Sequence, residues 1–595
     1  MKYSTIWITL FVLCYLATCL AQTSRPVFAD FTSRAEGLPF VTSQISGTAW
    51  GDFDNDGDQD LYLSSFGTNL LYRNNGDGTF SNIAAAAGVA DSNRTKAANW
   101  GDINGDGWLD LYLSNSRDLP NTLYLNNTDG SFTEIGEAAG VADEHFAQGG
   151  AFIDFDVDGD LDFFLMQDDS GDRLFRNNGD LTFTDVAPEL GMDNIWGAYG
   201  LVWFDYNDDG FIDLYIANCN SVFGANWNNL LFKNNGDGTF SDVSEATGLT
   251  YPRGRSWGSV AIDYDNDRDM DLLVVNSDGN DTFLLYQNRD SVFVEVDEQA
   301  GLPNLGIAFS VTSGDYDNDG DIDFLVAGFR PAIALYENKG DGTFDDISDR
   351  IAFPPLESPH YASITSADYD NDGFLDLVMA NEGSDGRAYL FHNEPDSSAA
   401  GNAWLVVKLN GVQDNSFGIG AKVTAIAQDL KQIRTVTAGS GLYSQNMLPV
   451  HFGLGDRTLI DTLVVRWPNL QSDSLFQVAV NQIVEITQGD QITAVREKSA
   501  RPPSASYLLQ NYPNPFNPET TIRYYLAAPA HVSLTIYDLR GREIRTLVDE
   551  VQGAGERTST WQGQDKRGRE VPSGLYFYTL QAGAYENSGR MILLR

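Results

Sequence analysis

One acidic motif recurs along the first two thirds of this chain of 595 residues. Its first copy, GDFDNDGDQDLYL at residues 51–63, alternates five aspartates with other residues and then continues into an apolar stretch. Self-similarity at a fixed period of this length is typical of solenoids, propellers and arrays. Seven copies are present at a mean step of about 53 residues, with first aspartates at Asp52, Asp102, Asp154, Asp205, Asp263, Asp315 and Asp368.

Each copy also carries an apolar alternation that ends in a tight turn. Examples are NLLYRNNGDGTF at residues 69–80 and NLLFKNNGDGTF at residues 229–240. Asn-Gly and Asp-Gly pairs accept positive φ and therefore favour short hairpins. One unit is then a strand, an acidic hairpin loop, a strand, a loop, a strand, a tight hairpin and a strand. Four antiparallel strands at this period predict a propeller blade.

The two ends of the repeat array complement each other. The seventh copy stops after AYLFHNEPD, residues 388–396, without a fourth strand, and a matching segment, VFADFTSRAEGL, occupies residues 27–38. We expect this N-terminal strand to complete the last blade, because closing the ring removes both open sheet edges. The predicted fold is all-β, with a seven-bladed β-propeller over residues 22–397, a small β domain and a C-terminal Ig-like β-sandwich.

The acidic motif has the donor chemistry of a cation site. In the pattern D-x-[DN]-x-D-G-x-x-D, side chains at positions 1, 3, 5 and 9 converge, and the glycine at position 6 allows a sharp turn. Such hard oxygen ligands suit Ca²⁺, whereas Mg²⁺ surrenders its water reluctantly. Four carboxylates about 6 Å apart repel by roughly 3 kcal/mol per pair at an effective dielectric near 20. A single copy could be a solvated turn, but seven copies in register favour about six or seven Ca²⁺ ions.

We number these loops 1 to 7 in chain order. The predicted side-chain ligands are Asp52, Asp54, Asp56 and Asp60 in loop 1; Asp102, Asn104, Asp106 and Asp110 in loop 2; Asp154, Asp156, Asp158 and Asp162 in loop 3; Asp205, Asn207, Asp209 and Asp213 in loop 4; Asp263, Asp265, Asp267 and Asp271 in loop 5; Asp315, Asp317, Asp319 and Asp323 in loop 6; and Asp368, Asp370, Asp372 and Asp376 in loop 7. Loop 5 has Arg268 where the turn glycine should be, which adds backbone strain and a cation. We expect that site to be the weakest, or to bind no ion.

Composition limits the partners and the compartment. The formal net charge of −47 opposes binding to nucleic acid. Residues 1–21 have the pattern of a secretory signal peptide, and no later apolar run has the length of a membrane span. Beyond that signal only Cys219 remains, so an internal disulfide is excluded. We expect an exported monomer.

Residues 27–397 resemble the FG-GAP or VCBS repeat family, whose integrin α-subunit relatives fold as seven-bladed propellers with Ca²⁺ in such loops. The next block, 401–488, resembles the ASPIC/UnbV domain through the motifs NAWLVVKLNG (402–411), GIGAKV (418–423), GSGLYSQN (439–446), HFGLG (451–455) and VVRWP (464–468). A propeller followed by that domain is similar to the cartilage acidic protein family. The resemblance implies secretion and Ca²⁺ binding, and it implies no agreed reaction.

A linker rich in Pro and Ser, residues 489–506, precedes a final block of alternating strands at 507–595. This block resembles the C-terminal sorting domain of bacterial type IX secretion. The resemblance implies a Gram-negative bacterium, contact with the type IX machinery, and release or attachment at the outer cell surface. An ordinary terminal β-sandwich is the alternative.

Catalysis is the minority interpretation. The five histidines of the chain lie in different segments, and no G-x-S-x-G motif occurs. On the side opposite the acidic loops, we expect an aromatic and arginine cluster that could bind a sugar ring or an acidic glycan, made of Phe223, Trp227, Tyr251, Arg253 and Arg255. The predicted function is binding or adhesion to an extracellular glycan or surface protein. The alternatives are a Ca²⁺-dependent polysaccharide lyase or hydrolase, and a structural protein of the surface layer.

Overall fold

The computed structural model divides the chain into two compact units, Met1–Val495 and Arg496–Arg595. The predicted signal peptide, residues 1–21, lies outside the described residues. The structure describes residues 26–593 apart from 27, 31–43, 117–118, 194–196, 220–227, 252–254, 278–281, 305, 331–332, 352–360, 384–385, 395–398, 490–506, 509–515, 517, 527, 554 and 584.

In the described part of the first unit, each of the seven acidic loops lies in a sheet with four antiparallel strands, and we number these sheets by their loops. The antiparallel strands are Ile45–Gly51, Asp60–Ser65, Leu70–Asn74 and Phe80–Asn82 in sheet 1; Thr95–Gly101, Asp110–Asn115, Thr122–Asn126 and Phe132–Glu134 in sheet 2; Ala147–Ile153, Asp162–Gln167, Arg173–Asn177 and Phe183–Asp185 in sheet 3; Ala198–Phe204, Asp213–Asn218, Leu230–Asn234 and Phe240–Asp242 in sheet 4; Ser256–Ile262, Asp271–Asn276, Phe283–Arg289 and Val292–Glu295 in sheet 5; Ile307–Gly314, Asp323–Arg330, Ile333–Asn338 and Phe344–Asp346 in sheet 6; and Tyr361–Ala367, Asp376–Asn381, Ala388–Asn393 and Phe28–Asp30 in sheet 7. Sheet 1 has a fifth strand, Ser444–Gln445, which runs parallel to Ile45–Gly51.

The sheets stack face to face, so their central strands are buried on both sides. Every residue of Asp60–Ser65 is buried, for example, including the apolar run from Leu61 to Leu63 that follows its aspartate. Trp50 of sheet 1 stacks on Tyr369 of sheet 7, with ring centroids 6.4 Å apart. The first strand of each sheet packs against the first strand of the next, and Tyr361–Ala367 packs against Ile45–Gly51. These sheets are the blades of a β-propeller, and the all-β prediction is confirmed.

The small β domain, residues 401–488, packs on this propeller within the same unit. One sheet contains Val450–Gly455, Ala403–Asn410 and Gln482–Thr487, and a second contains Leu430–Thr435, Lys422–Ala427, Leu459–Arg466 and Ser472–Ala479. Apolar side chains of both sheets, including Leu405, Val423 and Phe452, share one core cluster with residues of sheets 1 to 4.

The C-terminal unit is also built from strands. Its described sheets contain Tyr507–Leu508, Thr520–Leu526 and Gly555–Trp561, and Glu543–Gln552, Ala530–Asp538, Gly574–Ala582 and Tyr585–Leu593. Leu534, Trp561 and Tyr578 lie in its core.

Helices are few and short in the described residues. They are the α-helices Ala84–Ala87, Gly136–Ala139, Ala187–Leu190 and Ser244–Thr247 and the 3₁₀ turns Ser348–Arg350 and Ala399–Gly401. Within this described part, no helix has the length and apolarity to cross a membrane.

Candidate metal centres and the loop through the propeller

The first aspartate of each acidic loop shapes the turn that follows it. In loop 1, Asp52 Oδ1 accepts a hydrogen bond from the backbone N–H of Asp56 (3.0 Å), and Oδ2 accepts one from Gly57 (3.0 Å). Gly57 has φ +100° and Asn55 has φ +55°, so the backbone is left-handed at both positions. A glycine at position 6 avoids the steric cost of that conformation.

The last aspartate ties the loop to the third strand of its sheet. Asp60 Oδ1 accepts from the backbone N–H of Asn74 (2.8 Å), and Oδ2 accepts from that of Phe53 (3.2 Å). The corresponding aspartates of the other six loops make the same pair of bonds. These two backbone bonds therefore hold the carboxylate at position 9 of each loop, which we call the closing carboxylate, in a fixed orientation.

The folded loops bring several predicted ligands together. Carboxylate oxygens from positions 1, 3 and 9 lie within 4.8 Å of one another in loops 1, 3, 5 and 6, the groups being Asp52, Asp54 and Asp60; Asp154, Asp156 and Asp162; Asp263, Asp265 and Asp271; and Asp315, Asp317 and Asp323. The carboxylates at position 5 accept the backbone N–H of position 7, as Asp56 does from Asp58 (3.0 Å). Asn104 and Asn207 also contribute to the turns, each accepting the N–H two residues ahead.

Unmatched oxygens in these clusters fit a cation. The Oδ1 atoms of Asp54, Asp156 and Asp265, all at position 3, are buried and have no hydrogen-bond partner. Burial raises the pKa of the closing carboxyls Asp110 and Asp213 to about 8, and that of Asp271 to about 9. Buried carboxylates keep their charge at neutral pH only with a compensating positive charge. An ion bound by oxygen ligands would supply that charge.

The loops differ in the side chain that flanks them. This side chain comes from the third strand, one residue before its last asparagine. In sheet 4, Lys233 Nζ lies 2.7 Å from Asp209 Oδ2. In sheet 5, Gln287 donates to Asp265 Oδ2 at 2.6 Å.

In sheet 7 the flanking residue is His392, and its Nδ1 atom lies 2.9 Å from Asp376 Oδ1. Burial acts to lower the pKa of His392, but the hydrogen bond and charge of Asp376 outweigh it and raise the pKa to about 9. His392 is not among the residues predicted from the sequence for loop 7. The sequence signal that could have identified it is its position directly before Asn393, the asparagine of the third strand.

Loop 5 keeps the left-handed turn of the other loops in spite of Arg268. The residue has φ +78°, and its N–H donates to Asp263 Oδ1 at 3.2 Å, whereas the glycine N–H of loop 1 donates to Oδ2 of the first aspartate. A side chain in this conformation costs about 1–2 kcal/mol. The predicted backbone strain is therefore present at this position.

A ring of buried asparagines that was not predicted from the sequence links neighbouring sheets. Asn74 Nδ2 donates to the carbonyl of Gln59 in its own sheet (3.3 Å) and to that of Tyr369 in sheet 7 (2.7 Å). The same paired bonds join each sheet to the preceding one through Asn126, Asn177, Asn234, Asn288, Asn338 and Asn393. The recurrence of Asn at or next to the end of every third strand was the available signal.

Basic side chains of the small β domain face the acidic loops. Lys422 Nζ and Arg466 Nη1 lie 3.0 Å and 3.1 Å from Asp208 Oδ1 in loop 4. Lys408 Nζ lies 3.9 Å from Asp52 Oδ2 in loop 1. The domain therefore covers part of the side of the propeller that carries the acidic loops.

Two buried side chains of the small β domain, Arg434 and His451, also lie against the acidic loops of the propeller. Burial lowers the pKa of Arg434. The negative charges of Asp315, Asp263 and Asp321 act in the opposite direction and favour its charged form. His451 Nε2 donates to the carbonyl of Gly373 at 3.0 Å, and burial lowers the pKa of His451 to about 4.

Residues 436–449, which we call the channel loop, pass from the small β domain along the first strands of the propeller. Gln445 accepts the N–H of Trp100 (2.8 Å) and donates to its carbonyl (3.2 Å). Tyr443 Oη donates to Gln148 at 2.6 Å. The loop also bonds to sheets 1, 5, 6 and 7. It fills the space between the first strands.

Two of the five residues predicted to bind the ligand lie in the described part of the chain. Tyr251 is 7% exposed and packs in an apolar core, so its predicted role as an accessible ligand contact is wrong. Arg255 is exposed. The neighbouring Trp257 packs between Tyr199 and Phe309, with ring centroids 4.3 Å and 4.7 Å away. Phe223, Trp227 and Arg253 lie outside the described residues.

Fold and loops together define a β-propeller that repeats an acidic, cation-compatible turn. Its repeats match the profile described as FG-GAP-like repeat over more than half of the chain, and the chain belongs to this family. The matched segments are 52–113, 102–165, 154–216, 219–274, 263–326 and 315–379. Six repeats are matched, and the predicted count of seven blades is not confirmed by them.

Two further profiles match. Residues 411–493 match ASPIC and UnbV, which confirms the predicted resemblance of this block. Residues 517–586 match a FlgD Ig-like domain, so an Ig-like domain is present near the C-terminus. The type IX sorting domain predicted there is not confirmed and stays a prediction.

The chain is similar to proteins named cartilage acidic protein 1. The Xenopus tropicalis protein is 26% identical over 59% of this chain and 56% of its own length, and the Homo sapiens protein is 26% identical over 55% and 49%. The chain thus spans about half the length of these relatives. Among solved structures, an Agrocybe aegerita lectin that recognises non-reducing terminal N-acetylglucosamine covers 58% of this chain and 94% of its own, with 16% identity and a TM-score of 0.36.

Proposed function

We propose that this protein is a calcium-stabilised extracellular β-propeller that binds a carbohydrate or protein ligand. The proposal that the loops bind calcium rests on one repeated observation. The Oδ1 atoms of Asp54, Asp156 and Asp265, all at the same position of the turn, are buried and have no hydrogen-bond partner. Oxygen donors at this spacing suit Ca²⁺. The predicted aspartates and asparagines of loops 1 to 7 are the proposed ligands, and loop 5 is the weakest site.

We further propose that the propeller has seven blades and spans residues 22–397. The seven sheets of the described residues that carry an acidic loop support this count. Antiparallel pairing of Phe28–Asp30 with Ala388–Asn393 supports closure by the N-terminal strand. The bond from Asn74 to the carbonyl of Tyr369 supports a closed ring, because it joins sheet 1 to sheet 7.

The proposed ligand surface lies opposite the acidic loops. An FG-GAP propeller with an ASPIC/UnbV domain suggests an adhesion or binding module. The side with the loops is partly covered by Lys408, Lys422 and Arg466 of the small β domain. We therefore assign the ligand to the other side, near the exposed Arg255 and the predicted Phe223, Trp227 and Arg253.

The proposed route is export by the signal at residues 1–21 and passage across the outer membrane by type IX secretion through residues 507–595. Support comes from the sequence patterns of these two segments. We propose a monomer that is released or held at the surface of a Gram-negative bacterium. Secretion in such a host should stop when residues 507–595 are deleted, and persistence of secretion would contradict the route.

Thermal unfolding with calcium and with a chelator, together with a count of bound metal, tests the calcium part. We expect a large loss of stability in chelator and about six or seven Ca²⁺ ions per chain, because a ligand that binds only the native state stabilises it by mass action. An unchanged melting temperature with no bound metal would show that the acidic loops are solvated turns.

Ligand binding is tested on glycan and surface-protein arrays with the calcium-loaded chain. We expect saturable binding without release of new sugar ends, and at least a fivefold weaker affinity in Arg255→Ala. The control is Arg457→Ala, which changes an arginine of the small β domain. Release of new sugar ends from acidic polysaccharides would favour the lyase or hydrolase alternative.

A further inference from the structure

Loop 7 differs from the other acidic loops in the atoms that surround it. His392 lies one residue before the asparagine that ends the third strand of sheet 7, and its Nδ1 is 2.9 Å from Asp376 Oδ1 and 3.7 Å from Asp370 Oδ2. These three side chains form one of the groups whose ligand atoms all lie within 4.8 Å of one another. At the same position the other sheets have Arg73, Leu125, Arg176, Lys233, Gln287 and Glu337.

The surroundings hold the imidazole and the carboxylate in place. The His392 side chain is 15% exposed, and the Asp376 side chain is fully buried. Asp376 Oδ1 also accepts the backbone N–H of Asn393 at 2.8 Å, and Oδ2 accepts that of Tyr369 at 3.3 Å. The Tyr369 ring meets the imidazole edge to face, with centroids 6.1 Å apart.

The spacing of these atoms is close to that of the ligands around a small ion. Ligand bonds of about 2.1 Å place neighbouring donor atoms about 3.0 Å apart in an octahedral shell and about 3.4 Å apart in a tetrahedral one. The distances from His392 Nδ1 are 2.9 Å to Asp376 Oδ1, just below this range, and 3.7 Å to Asp370 Oδ2, just above it. Ca²⁺ takes oxygen ligands, whereas an imidazole nitrogen suits Zn²⁺ and other first-row transition ions.

We propose that loop 7 is a mixed nitrogen and oxygen site that selects a divalent transition ion, such as Zn²⁺, over Ca²⁺. Its ligands are His392 Nδ1 and the carboxylates of Asp370 and Asp376. Asp368 and Asp372 belong to the same loop and add negative charge. The inference rests on the proposed function in that the acidic loops bind cations, and it takes loop 7 out of the proposed calcium loops, which leaves six.

The test uses Co²⁺ as a spectroscopic substitute for Zn²⁺ with the full chain at pH 7.5 in excess calcium. We expect one Co²⁺ retained per chain after dialysis, a visible absorption band, and displacement of Co²⁺ by Zn²⁺. His392→Gln should lower the Co²⁺ affinity at least tenfold and remove the band. Gln occurs at the equivalent position of sheet 5 as Gln287, so the variant suits the fold.

His145→Gln is the matched control. His145 is half exposed and lies 3.6 Å from Asp169, so it is a surface pair of the same two residue types. Equal Co²⁺ retention by the wild type and His392→Gln, or none by either, would overturn the transition-metal site. If calcium still raises the melting temperature of both chains in that case, the calcium function stands. If neither ion is retained and calcium has no effect, both proposals fail.

Discussion

Arg268 stands where the other six acidic loops have glycine, yet the backbone of loop 5 has the same left-handed turn. Local hydrogen bonds explain why the turn persists. Asp263 Oδ1 accepts the N–H of Arg268, and Asp267 Oδ1 accepts that of Asp269 (2.9 Å). The aspartates thus enforce a conformation that an arginine adopts only at a cost in free energy.

Arg268→Gly should therefore raise the free energy of unfolding by about 1 kcal/mol and tighten calcium binding at loop 5. Urea unfolding in calcium and in chelator measures both effects. Gly57→Ala in loop 1 is the reverse control. A Cβ there would meet no atom within 4 Å, so its expected loss of about 1 kcal/mol comes from the backbone alone. An Arg268→Gly chain that is less stable than wild type would contradict the strain.

The buried closing carboxyls give the calcium-free protein a pH dependence. Their folded-state pKa values, about 8 for Asp110 and Asp213 and about 9 for Asp271, lie above the unfolded value near 3.8. A raised folded pKa contributes stability that is complete below the unfolded pKa and is lost as the pH rises through the folded pKa.

We therefore expect the calcium-free protein to lose stability from about pH 5 to about pH 9, by at most about 1.4 kcal/mol per pH unit for each such group. Saturating calcium should remove this decline, because the bound ion compensates the ionised carboxylates. Urea unfolding at several pH values in metal-depleted and calcium-containing buffers measures the difference. Higher stability at pH 9 than at pH 5 without calcium would contradict the prediction.

At the scale of the element, the asparagine at or next to the end of each third strand has two tasks. Its backbone N–H holds the closing aspartate of its own loop, and its side chain bonds to the preceding sheet, as Asn74 does with Asp60 and Tyr369. Each loop is thereby connected to a neighbouring blade.

Asn74→Ala should lower the free energy of unfolding by about 1–3 kcal/mol, because two buried carbonyls lose their donor. It should also weaken calcium binding at loop 1. Asn75→Ala is the control: Asn75 is exposed, and its side-chain bonds stay within its own hairpin. Chemical unfolding and calcium titration of both variants decide the point, and equal stability of the two would contradict a role in joining sheets.

At the scale of the whole molecule, the channel loop and the basic side chains bind the small β domain to the propeller. The loop contacts the first strands of six sheets, and Lys422 and Arg466 pair with loop 4. We expect propeller and small domain to unfold as one cooperative unit in consequence.

Gln445→Ala should lower the stability of that whole unit by about 1–3 kcal/mol, because it leaves the N–H and C=O of Trp100 unpaired in a buried place. The exposed Gln471→Ala on the same domain should have little effect. Differential scanning calorimetry measures both. Separate transitions of the small domain and the propeller in the wild type would contradict the single unit.

Much of the repeat could be predicted from sequence because its signals are local. The turn of each acidic loop is made by hydrogen bonds within nine residues, such as those of Asp52 with Asp56 and Gly57. Its strands follow directly from apolar runs and Asn-Gly-Asp-Gly turns. Physical forces that act between near neighbours leave a pattern that can be read along the chain.

The amino-acid sequence by itself thus determined the all-β repeats, the acidic loops and the ASPIC/UnbV-like block. Only the tertiary structure decided that Asn74 bonds to Tyr369, that His392 flanks loop 7, that Tyr251 is buried, and that Gln445 reaches Trp100. Asn74 and Tyr369 are separated by 295 residues, and Gln445 and Trp100 by 345. Such contacts depend on how the sheets close into a ring and on what enters its centre, and no local periodicity encodes either.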